Sequence, residues 1–170
     1  MGRPSLHIPN AKSSRTLAIV AFEPSFTDAL IPMWRQSFEA AVGIVDPHPL
    51  AAQRAYFLDD VVPHNAVRVV RDGERIVGFI AASRESIAQL YLAAGYSGRG
   101  IGTRLVDWAK AQSDGSLWLY TFARNRAACA FYERRGFRVA ARGFEPHWQQ
   151  DDVRYEWTAG PGGVMTGVAW

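Results

Sequence analysis

The sequence predicts an α+β fold: a single domain in which a twisted, mostly antiparallel sheet is flanked by helices. Three observations lead to this prediction. Short apolar stretches of strand length alternate with longer stretches of helical periodicity, a hairpin signal lies near the middle of the chain, and a glycine-rich turn joins a strand to a helix. The 170 residues suit one compact domain better than two.

A short strand and two helices are predicted for the first third of the chain. Residues 17–22 form an apolar run that predicts a strand, which Pro24 ends. Apolar residues then recur at helical spacing up to Gly43, and glycine is the residue that most often ends a helix. A second helix is predicted over residues 50–58.

An antiparallel meander is predicted for the middle of the chain. Residues 66–70 and 76–82 have strand character, and Asp72-Gly73 lies between them. Asp-Gly favours a hairpin because both residue types tolerate positive φ. A third strand is predicted over residues 87–92, after a polar turn.

Helices and strands alternate again in the second half of the chain. The predicted helices and strands cover residues 100–112 (helix), 117–122 (strand), 125–135 (helix), 137–141 (strand) and 153–157 (strand). The composition separates this folded domain, residues 16–159, from a loosely ordered leader over residues 1–15 and a peripheral glycine-rich tail over residues 160–170.

Composition and charge exclude several classes of function. The formal net charge is +3, and the charges are dispersed and interrupted by acidic pairs such as Asp59-Asp60, so no nucleic-acid partner is expected. No apolar run approaches the roughly 20 residues needed to cross a bilayer, so no membrane partner is expected. Cys129 is the only cysteine, which excludes an internal disulfide and a multi-cysteine metal site and fits a cytoplasmic location.

The segment from Leu90 to Gly102, LYLAAGYSGRGIG, carries the clearest chemical signal. A strand runs into a glycine-rich turn that opens an amphipathic helix, so backbone N–H groups and the positive helix end can hold an anion such as phosphate. A Walker loop would need Gly-Lys-Ser/Thr, whereas Ile101 follows Gly100. The glycine spacing and the preceding hairpins do not match a dinucleotide-binding fingerprint either. A tight turn that binds nothing remains an alternative.

Two motifs in this chain resemble those of the GNAT N-acetyltransferase superfamily. The segment 98–102, GRGIG, resembles the loop that binds the pyrophosphate of coenzyme A, and the segment 125–137, NRAACAFYERRGF, resembles the family's later Asn-x-x-Ala-x-x-Leu-Tyr-x-x-x-Gly-Phe motif. The resemblance covers residues 67–157, and it implies a sheet that is splayed open at the acyl-CoA site. Ser97 departs from the family pattern, which usually has Gln or Arg there.

The resemblance implies specific roles on the cofactor side. The residues implied to bind acetyl-CoA are Leu92, Ala93 and Ala94 through their backbone, Gly98, Gly100, Ile101 and Gly102 through their amides, and Arg99 and Asn125 through their side chains. Tyr132 is implied to protonate the departing thiolate as a general acid. Two structural alternatives stay open, since Asn125 could be a helix N-cap and Tyr132 an ordinary half-buried aromatic.

The general base is not identified by the sequence. On the predicted central strand, the face that carries Tyr91 also carries Gln89, which cannot act as a base, and Glu85 lies too far along the strand. The alternatives are a water chain, a residue from the first helices, or a residue of the loop that contains Glu145 and His147.

The resemblance places recognition of the acyl acceptor in the first two helices and in the loop between the last strands. The candidate substrate residues are Trp34, Phe38, His147 and Trp148, with His48 and Tyr56 nearby. Core packing is the more common role for residues such as Trp34 and Phe38, which are four residues apart on one helix.

The sequence therefore predicts an acetyl-CoA-dependent N-acetyltransferase without a metal, in class EC 2.3.1.-. The acetyl group would pass directly to a primary amine within a ternary complex, and a homodimer is possible. Two alternatives remain: a catalytically idle acyl-CoA-binding sensor or scaffold, and a protein N-terminal acetyltransferase that acts on a peptide amine.

Overall fold

The computed structural model describes residues 17–160, and the predicted leader and all of the predicted tail except Gly160 lie outside them. The strands are β1 (Leu17–Ala21), β2 (Ala66–Asp72), β3 (Arg75–Ala82), β4 (Ile87–Leu92), β5 (Ser116–Phe122), β6 (Arg138–Glu145) and β7 (Gln150–Thr158). The helices are α1 (Thr27–Val42), α2 (Leu50–Tyr56), α3 (Val62–His64), α4 (Ile101–Gln112) and α5 (Arg126–Arg134). A π-helical turn, Phe57–Val61, joins α2 to α3.

The strands form two antiparallel sheets that touch at one point. The order is β1-β2-β3-β4 in the first sheet and β5-β7-β6 in the second. A parallel bridge between Ser86 and Trp118 joins them, and the Trp118 N–H donates to the Glu85 carbonyl over 2.9 Å. Beyond this bridge β4 and β5 separate, so the sheet is splayed open along the rest of β4.

Helices cover both faces of the first sheet. Trp34 of α1 packs on Phe79 and Tyr91, with ring centroids 5.4 and 6.1 Å apart. Because successive side chains of a strand point to opposite faces, Leu92 points away from α1. Gly102 of α4 approaches the Leu92 side chain on that second face. Burial on both faces explains why β3 is apolar along almost its whole length.

The predicted α+β fold is confirmed, and the glycines predicted to end elements do so. Gly43 after α1, Gly73 in the β2–β3 hairpin and Gly136 after α5 have φ of 71°, 61° and 83°. Two details differ from the prediction. The α2 segment continues through residues 57–64, and β6 and β7 extend into a long hairpin up to a tight turn. The opening predicted in the sheet takes the form of two separate sheets.

The full length of β6 was not predicted because β6 is an edge strand of its sheet. It pairs only with β7, and nearly every residue in it is exposed, so its sequence lacks the apolar alternation of a half-buried strand. The consequence for the site is that the β6–β7 turn, residues 146–149, projects from the end of a long hairpin.

Candidate active site

The gap between β4 and β5, called the β4–β5 cleft below, exposes backbone groups of β4. Ala93 donates its N–H to the Val77 carbonyl of β3 over 2.8 Å, and its carbonyl accepts from the Tyr96 N–H over 3.1 Å. Since backbone groups alternate in direction along an antiparallel strand, Leu90 and Leu92 direct theirs toward the cleft. Ala93, which was predicted to bind cofactor through its backbone, therefore has its backbone groups engaged within the protein, whereas Leu92 faces the cleft.

The glycine-rich loop leads from β4 to the N-terminus of α4. Gly98 and Gly100 have φ of 76° and 77°, and a Cβ built on either would meet no atom within 4 Å. The first intrahelical bond runs from the Arg104 N–H to the Gly100 carbonyl, so Ile101 and Gly102 present N–H groups that have no partner within the helix. The loop is exposed, and it combines these donors with the positive end of the helix dipole.

Gly102 has a packing role that the sequence did not indicate. It is buried in α4, and a Cβ built on it would lie 3.2 Å from the Phe131 ring of α5. The missing side chain therefore lets α4 and α5 approach each other beside the cleft. The open space that would let a phosphate oxygen approach the backbone is found instead at Gly98 and Gly100.

Arg99 and Ser97 both lie on the exposed surface of the loop. The Arg99 guanidinium stacks on the Tyr96 ring, 4.8 Å from its centroid, and the Tyr96 hydroxyl donates to Asp72 over 2.8 Å. Tyr96 thus connects the loop to the end of β2 and supports the Arg99 side chain next to the α4 N-terminus.

Asn125 is the N-cap of α5. Its Oδ1 accepts a hydrogen bond from the Ala128 N–H over 3.1 Å, which is the structural role left open by the sequence. The residue is half-buried and also lines the cavity described below. Its Nδ2 makes no hydrogen bond to any residue in the described part of the chain. One residue can therefore cap α5 through oxygen and donate to a ligand through nitrogen.

Tyr132 of α5 is 7% exposed and lines the same cavity. Its ring packs against Phe131, Phe137 and Tyr155 at centroid distances of 5.2, 5.6 and 6.2 Å, whereas its hydroxyl makes no hydrogen bond within residues 17–160. Burial, with a smaller contribution from Tyr91, raises the pKa of Tyr132 above that of an ordinary tyrosine. The phenol therefore keeps its proton at neutral pH and can donate it into the cavity.

A cavity of about 790 Å³ extends from Tyr132 and Asn125 to α1, α2 and the β6–β7 turn. Its far end, called the aromatic chamber below, has six aromatic or imidazole side chains: Trp34, Phe38, His48, Tyr56, His147 and Trp148. The structure thus brings all four predicted substrate residues together, although they come from two segments more than 100 residues apart.

The chamber side chains contact one another directly. Phe38 packs on Trp148 with centroids 4.9 Å apart, and the His48 and His147 rings are stacked 5.0 Å apart at 18°. Trp34 and Phe38 are 5% and 8% exposed, so they serve the core and the chamber wall at once. Core packing and ligand contact, which the sequence posed as alternatives, are therefore compatible.

A buried polar network supports the chamber from the α1–α2 connection. Asp46 accepts from His48 Nδ1 over 2.7 Å, and its other oxygen pairs with Arg35 over 3.1 Å. Arg35 also donates to Gln53 and to the His48 carbonyl, over 2.8 and 2.9 Å. Sequence reasoning assigned no role to Arg35 or Asp46. The segment Asp46-Pro47-His48 carried the one signal that could have found this pair. An Asp side chain commonly accepts a hydrogen bond from the backbone N–H of the residue two positions later, which here is His48.

Glu145, one of the candidates for the general base, already accepts hydrogen bonds within the protein. Its two oxygens accept the backbone N–H groups of His147 and Trp148 over 3.2 and 2.6 Å. Its carboxylate therefore shapes the β6–β7 turn and orients the two side chains that enter the chamber.

The described residues hold no set of three His, Cys, Asp or Glu side chains that could bind a metal ion. Among the helices of residues 17–160, none combines the length and the apolar character that crossing a bilayer requires.

The sequence of the chain matches one protein family. Residues 27–137 match the model of the Acetyltransferase (GNAT) family. The chain is 29% identical over 116 residues to the peptidyl-lysine N-acetyltransferase YjaB of Salmonella typhimurium, and the match covers 68% of this chain and 79% of that protein. It is 33% identical over 148 residues to mycothiol acetyltransferase of Corynebacterium glutamicum. That match covers 78% of this chain but only about half (48%) of the length of the relative.

Solved structures show the same fold. The PaiA N-acetyltransferase of Thermoplasma acidophilum, determined in complex with coenzyme A, superposes with a TM-score of 0.67 at 18% identity. The match covers 84% of this chain and 99% of that one.

Proposed function

The chain belongs to the GNAT acetyltransferase family, and on this basis we propose that it transfers an acetyl group from acetyl-CoA to a primary amine. The observation that carries the proposal is the arrangement along one cleft of an anion-binding helix end, outward-facing β4 backbone and a buried tyrosine. The loop between Gly98 and Gly102 would hold the pyrophosphate, with Arg99 beside it. Leu92 and the free Nδ2 of Asn125 would bind the pantetheine arm.

The residues of the cleft supply the parts of a direct transfer. The amine would enter from the aromatic chamber and attack the thioester carbonyl, with both substrates bound together. Tyr132 would then donate its proton to the departing thiolate, since its hydroxyl has no hydrogen bond within the described residues and, with its raised pKa, is still protonated at neutral pH. No covalent enzyme intermediate is required, and Cys129 does not line the cavity.

The acceptor we propose is a slender primary amine that fits a mostly aromatic chamber. A free small amine and a lysine side chain both have this shape. The name of the Salmonella relative, a peptidyl-lysine N-acetyltransferase, favours the lysine side chain, and that of the Corynebacterium relative favours a small-molecule amine. An N-terminal amine of a protein is a third acceptor of the same chemistry. The cytoplasmic location and a homodimer stay predictions.

Thermal unfolding with and without acetyl-CoA tests the cofactor first. Ligand at 100 times its dissociation constant stabilises the folded state by about 2.7 kcal/mol, which raises the unfolding midpoint by several degrees. Desulfo-coenzyme A, which keeps the pyrophosphate and most of the pantetheine, should stabilise the protein similarly. The absence of any shift would contradict the cofactor assignment.

An amine panel then identifies the acceptor through release of free thiol. The panel compares small primary amines, a lysine-containing peptide with a blocked N-terminus, and a peptide whose only amine is its N-terminus. Thiol release above the rate without amine confirms the transferase. Stabilisation by acetyl-CoA with no thiol release from any amine would instead favour the acyl-CoA-binding sensor.

A further inference from the structure

The His48–Asp46 pair belongs to the aromatic chamber and lines the same cavity as Tyr132. We propose that His48 is the general base that takes the proton from the acceptor amine, and that Asp46 positions it. This inference rests on the proposed acetyl transfer and identifies the base that the transfer requires.

The hydrogen bonds of Asp46 determine which nitrogen of His48 is available. A carboxylate only accepts hydrogen bonds, so Nδ1, 2.7 Å from Asp46 Oδ1, carries the proton that is donated. In the neutral imidazole the other nitrogen, Nε2, then has a free lone pair. Nε2 lies on the opposite side of the ring from Asp46, and His48 lines the cavity. The ring is therefore held in the tautomer that can accept a proton from a ligand.

Asp46 is itself held rigidly. Its side chain is only 9% exposed and pairs with Arg35, and its backbone N–H donates to Glu39 over 3.0 Å. Asp46 Oδ1 also accepts the backbone N–H of His48 over 2.9 Å. Because that turn uses the backbone of His48, it persists when the imidazole is replaced. The pair thus has a fixed geometry of the kind that orients a histidine base.

The groups facing His48 come from every element packed around it. His147 stacks on the ring and Trp148 meets its edge at 5.7 Å, both from the β6–β7 turn. The charged and titratable groups around the pair are Arg35 and Glu39 of α1, Tyr56 of α2, Glu145 at the end of β6, and His147 of the turn. His147 has no carboxylate partner for its ring within the described residues, which distinguishes it from His48.

Three other polar groups of the cavity, Glu145, Gln89 and Tyr91, are poorer candidates for the base. Asp152 on β7 also lines the cavity, and a carboxylate is intrinsically a weaker base than an imidazole. Glu145 already accepts two backbone N–H groups, and Gln89 does not titrate. Burial raises the pKa of Tyr91 to about 12, so it stays protonated. Imidazole is the side chain whose ordinary pKa lies nearest neutral pH, where a general base is most efficient.

The proton balance of the reaction then closes. The ammonium gives one proton to His48 Nε2, directly or through one water. The neutral amine forms the C–N bond, the C–S bond breaks, and the thiolate takes the proton of Tyr132. The second proton of the attacking nitrogen returns to the Tyr132 phenolate. His48 releases its proton to solvent, which leaves amide, free coenzyme A and one H⁺.

The kinetic test compares His48→Ala with His64→Gln. His64 is exposed on α3 and bonded to the Asp60 carbonyl, so its replacement should not change the rate at any pH. For His48→Ala we expect kcat/KM for the amine to fall about 10²-fold at pH 7, and the deficit to shrink as the pH approaches the amine pKa of about 10. Added imidazole should restore part of the rate at pH 7, and the dissociation constant of acetyl-CoA should not change.

A purely structural role for His48 would look different. It would lower the rate by the same factor at every pH, without imidazole rescue, and either result overturns the assignment. A wild-type protein that binds acetyl-CoA but acetylates no amine overturns the proposed function together with the base. Normal turnover of the wild type and an unchanged rate in His48→Ala would overturn the base alone.

The tautomer gives a test that does not depend on turnover. Long-range ¹⁵N NMR of histidine-labelled protein, with His48→Ala used for assignment, should show the His48 ring protonated at Nδ1 at a pH where it is neutral. The prediction for Asp46→Asn is a mixture of tautomers and a rate loss of about tenfold, smaller than that of His48→Ala. Protonation of the neutral wild-type ring at Nε2 would contradict the pairing from which the proposal is built.

Discussion

The two ends of the cavity are constructed in different ways. The proposed cofactor end combines backbone groups of Leu92 and of the loop from Gly98 to Gly102 with the side chains of Asn125 and Tyr132. The chamber end uses side chains from α1, the α1–α2 connection, α2 and the β6–β7 turn. Asn125 and Tyr132 line the same cavity as the chamber side chains, whereas residues 92–102 do not, and the residues of the cofactor end belong to two short sequence motifs.

This difference follows from what each end has to recognise. A phosphate-bearing cofactor can be bound by N–H groups and a helix dipole, which any residue supplies provided that the backbone takes the right path. An acceptor amine has to be selected by the shape and charge of side chains. The two ends should therefore respond differently to substitution, with cofactor affinity and acceptor kinetics changing separately.

The largest effect is expected for Tyr132→Phe, at the junction of the two ends. Loss of the phenolic proton should lower kcat by about 10²-fold. Cofactor affinity and stability should hardly change, because the hydroxyl makes no hydrogen bond within the described residues. Tyr155→Phe is a matched control, since its buried hydroxyl donates to Glu133 outside the cavity and should affect stability by about 1 kcal/mol rather than kcat. An unchanged kcat in Tyr132→Phe would remove this residue from the mechanism.

The second largest effect is expected for Trp148→Ala, at the chamber end. Loss of the ring against Phe38 and His48 should raise KM for the amine about tenfold, corresponding to about 1.4 kcal/mol. The dissociation constant of acetyl-CoA, measured by titration calorimetry, should stay within experimental error. Trp118→Ala is the control, because Trp118 is partly exposed on β5 and does not line the cavity. A parallel loss of cofactor affinity in Trp148→Ala would show that the two ends are not separate.

A smaller effect is expected for Asn125→Asp, at the cofactor end. Aspartate caps a helix as well as asparagine does, but it lacks the Nδ2 donor. Cofactor affinity should fall about fivefold, the value of one hydrogen bond near 1 kcal/mol, while the unfolding midpoint is kept. Asn125→Ala should lower both, since it loses the cap as well. Unchanged affinity in Asn125→Asp would leave Asn125 with the capping role alone.

The smallest effect on function is expected from a pair of glycine variants. Gly100→Ala places a side chain at φ of 77° in the exposed loop, so it should strain the loop and weaken cofactor binding about threefold. Gly102→Ala places a Cβ 3.2 Å from the Phe131 ring, so it should lower the unfolding midpoint through overpacking between α4 and α5. The same response of affinity and midpoint in both variants would refute the separate roles of these two glycines.

The α+β fold and the glycine loop that opens α4 could be predicted from the sequence alone. Hairpin chemistry at Asp72-Gly73, helix ends at Gly43 and Gly136, and the glycine loop before α4 are all local signals. They depend on φ, on helix caps and on spacing within a few residues. The residue types at neighbouring positions are therefore enough to indicate them. The length of β6 was not predicted, because its edge position removes the apolar alternation of a half-buried strand.

Only the tertiary structure decided how residues far apart in sequence share the cavity. Gly102 lacks a side chain because Phe131 packs on it, and Ala93 has its backbone groups engaged because β3 lies beside it. His48 is held by Asp46 and stacked on His147, about 100 residues later in the chain. Contacts of this kind depend on how helices and sheets dock, and a sequence pattern with a period of two or 3.6 residues carries no information about them. The sequence therefore determined where the glycine loop and α4 lie, and only the docking of the elements determined which side chains form the chamber.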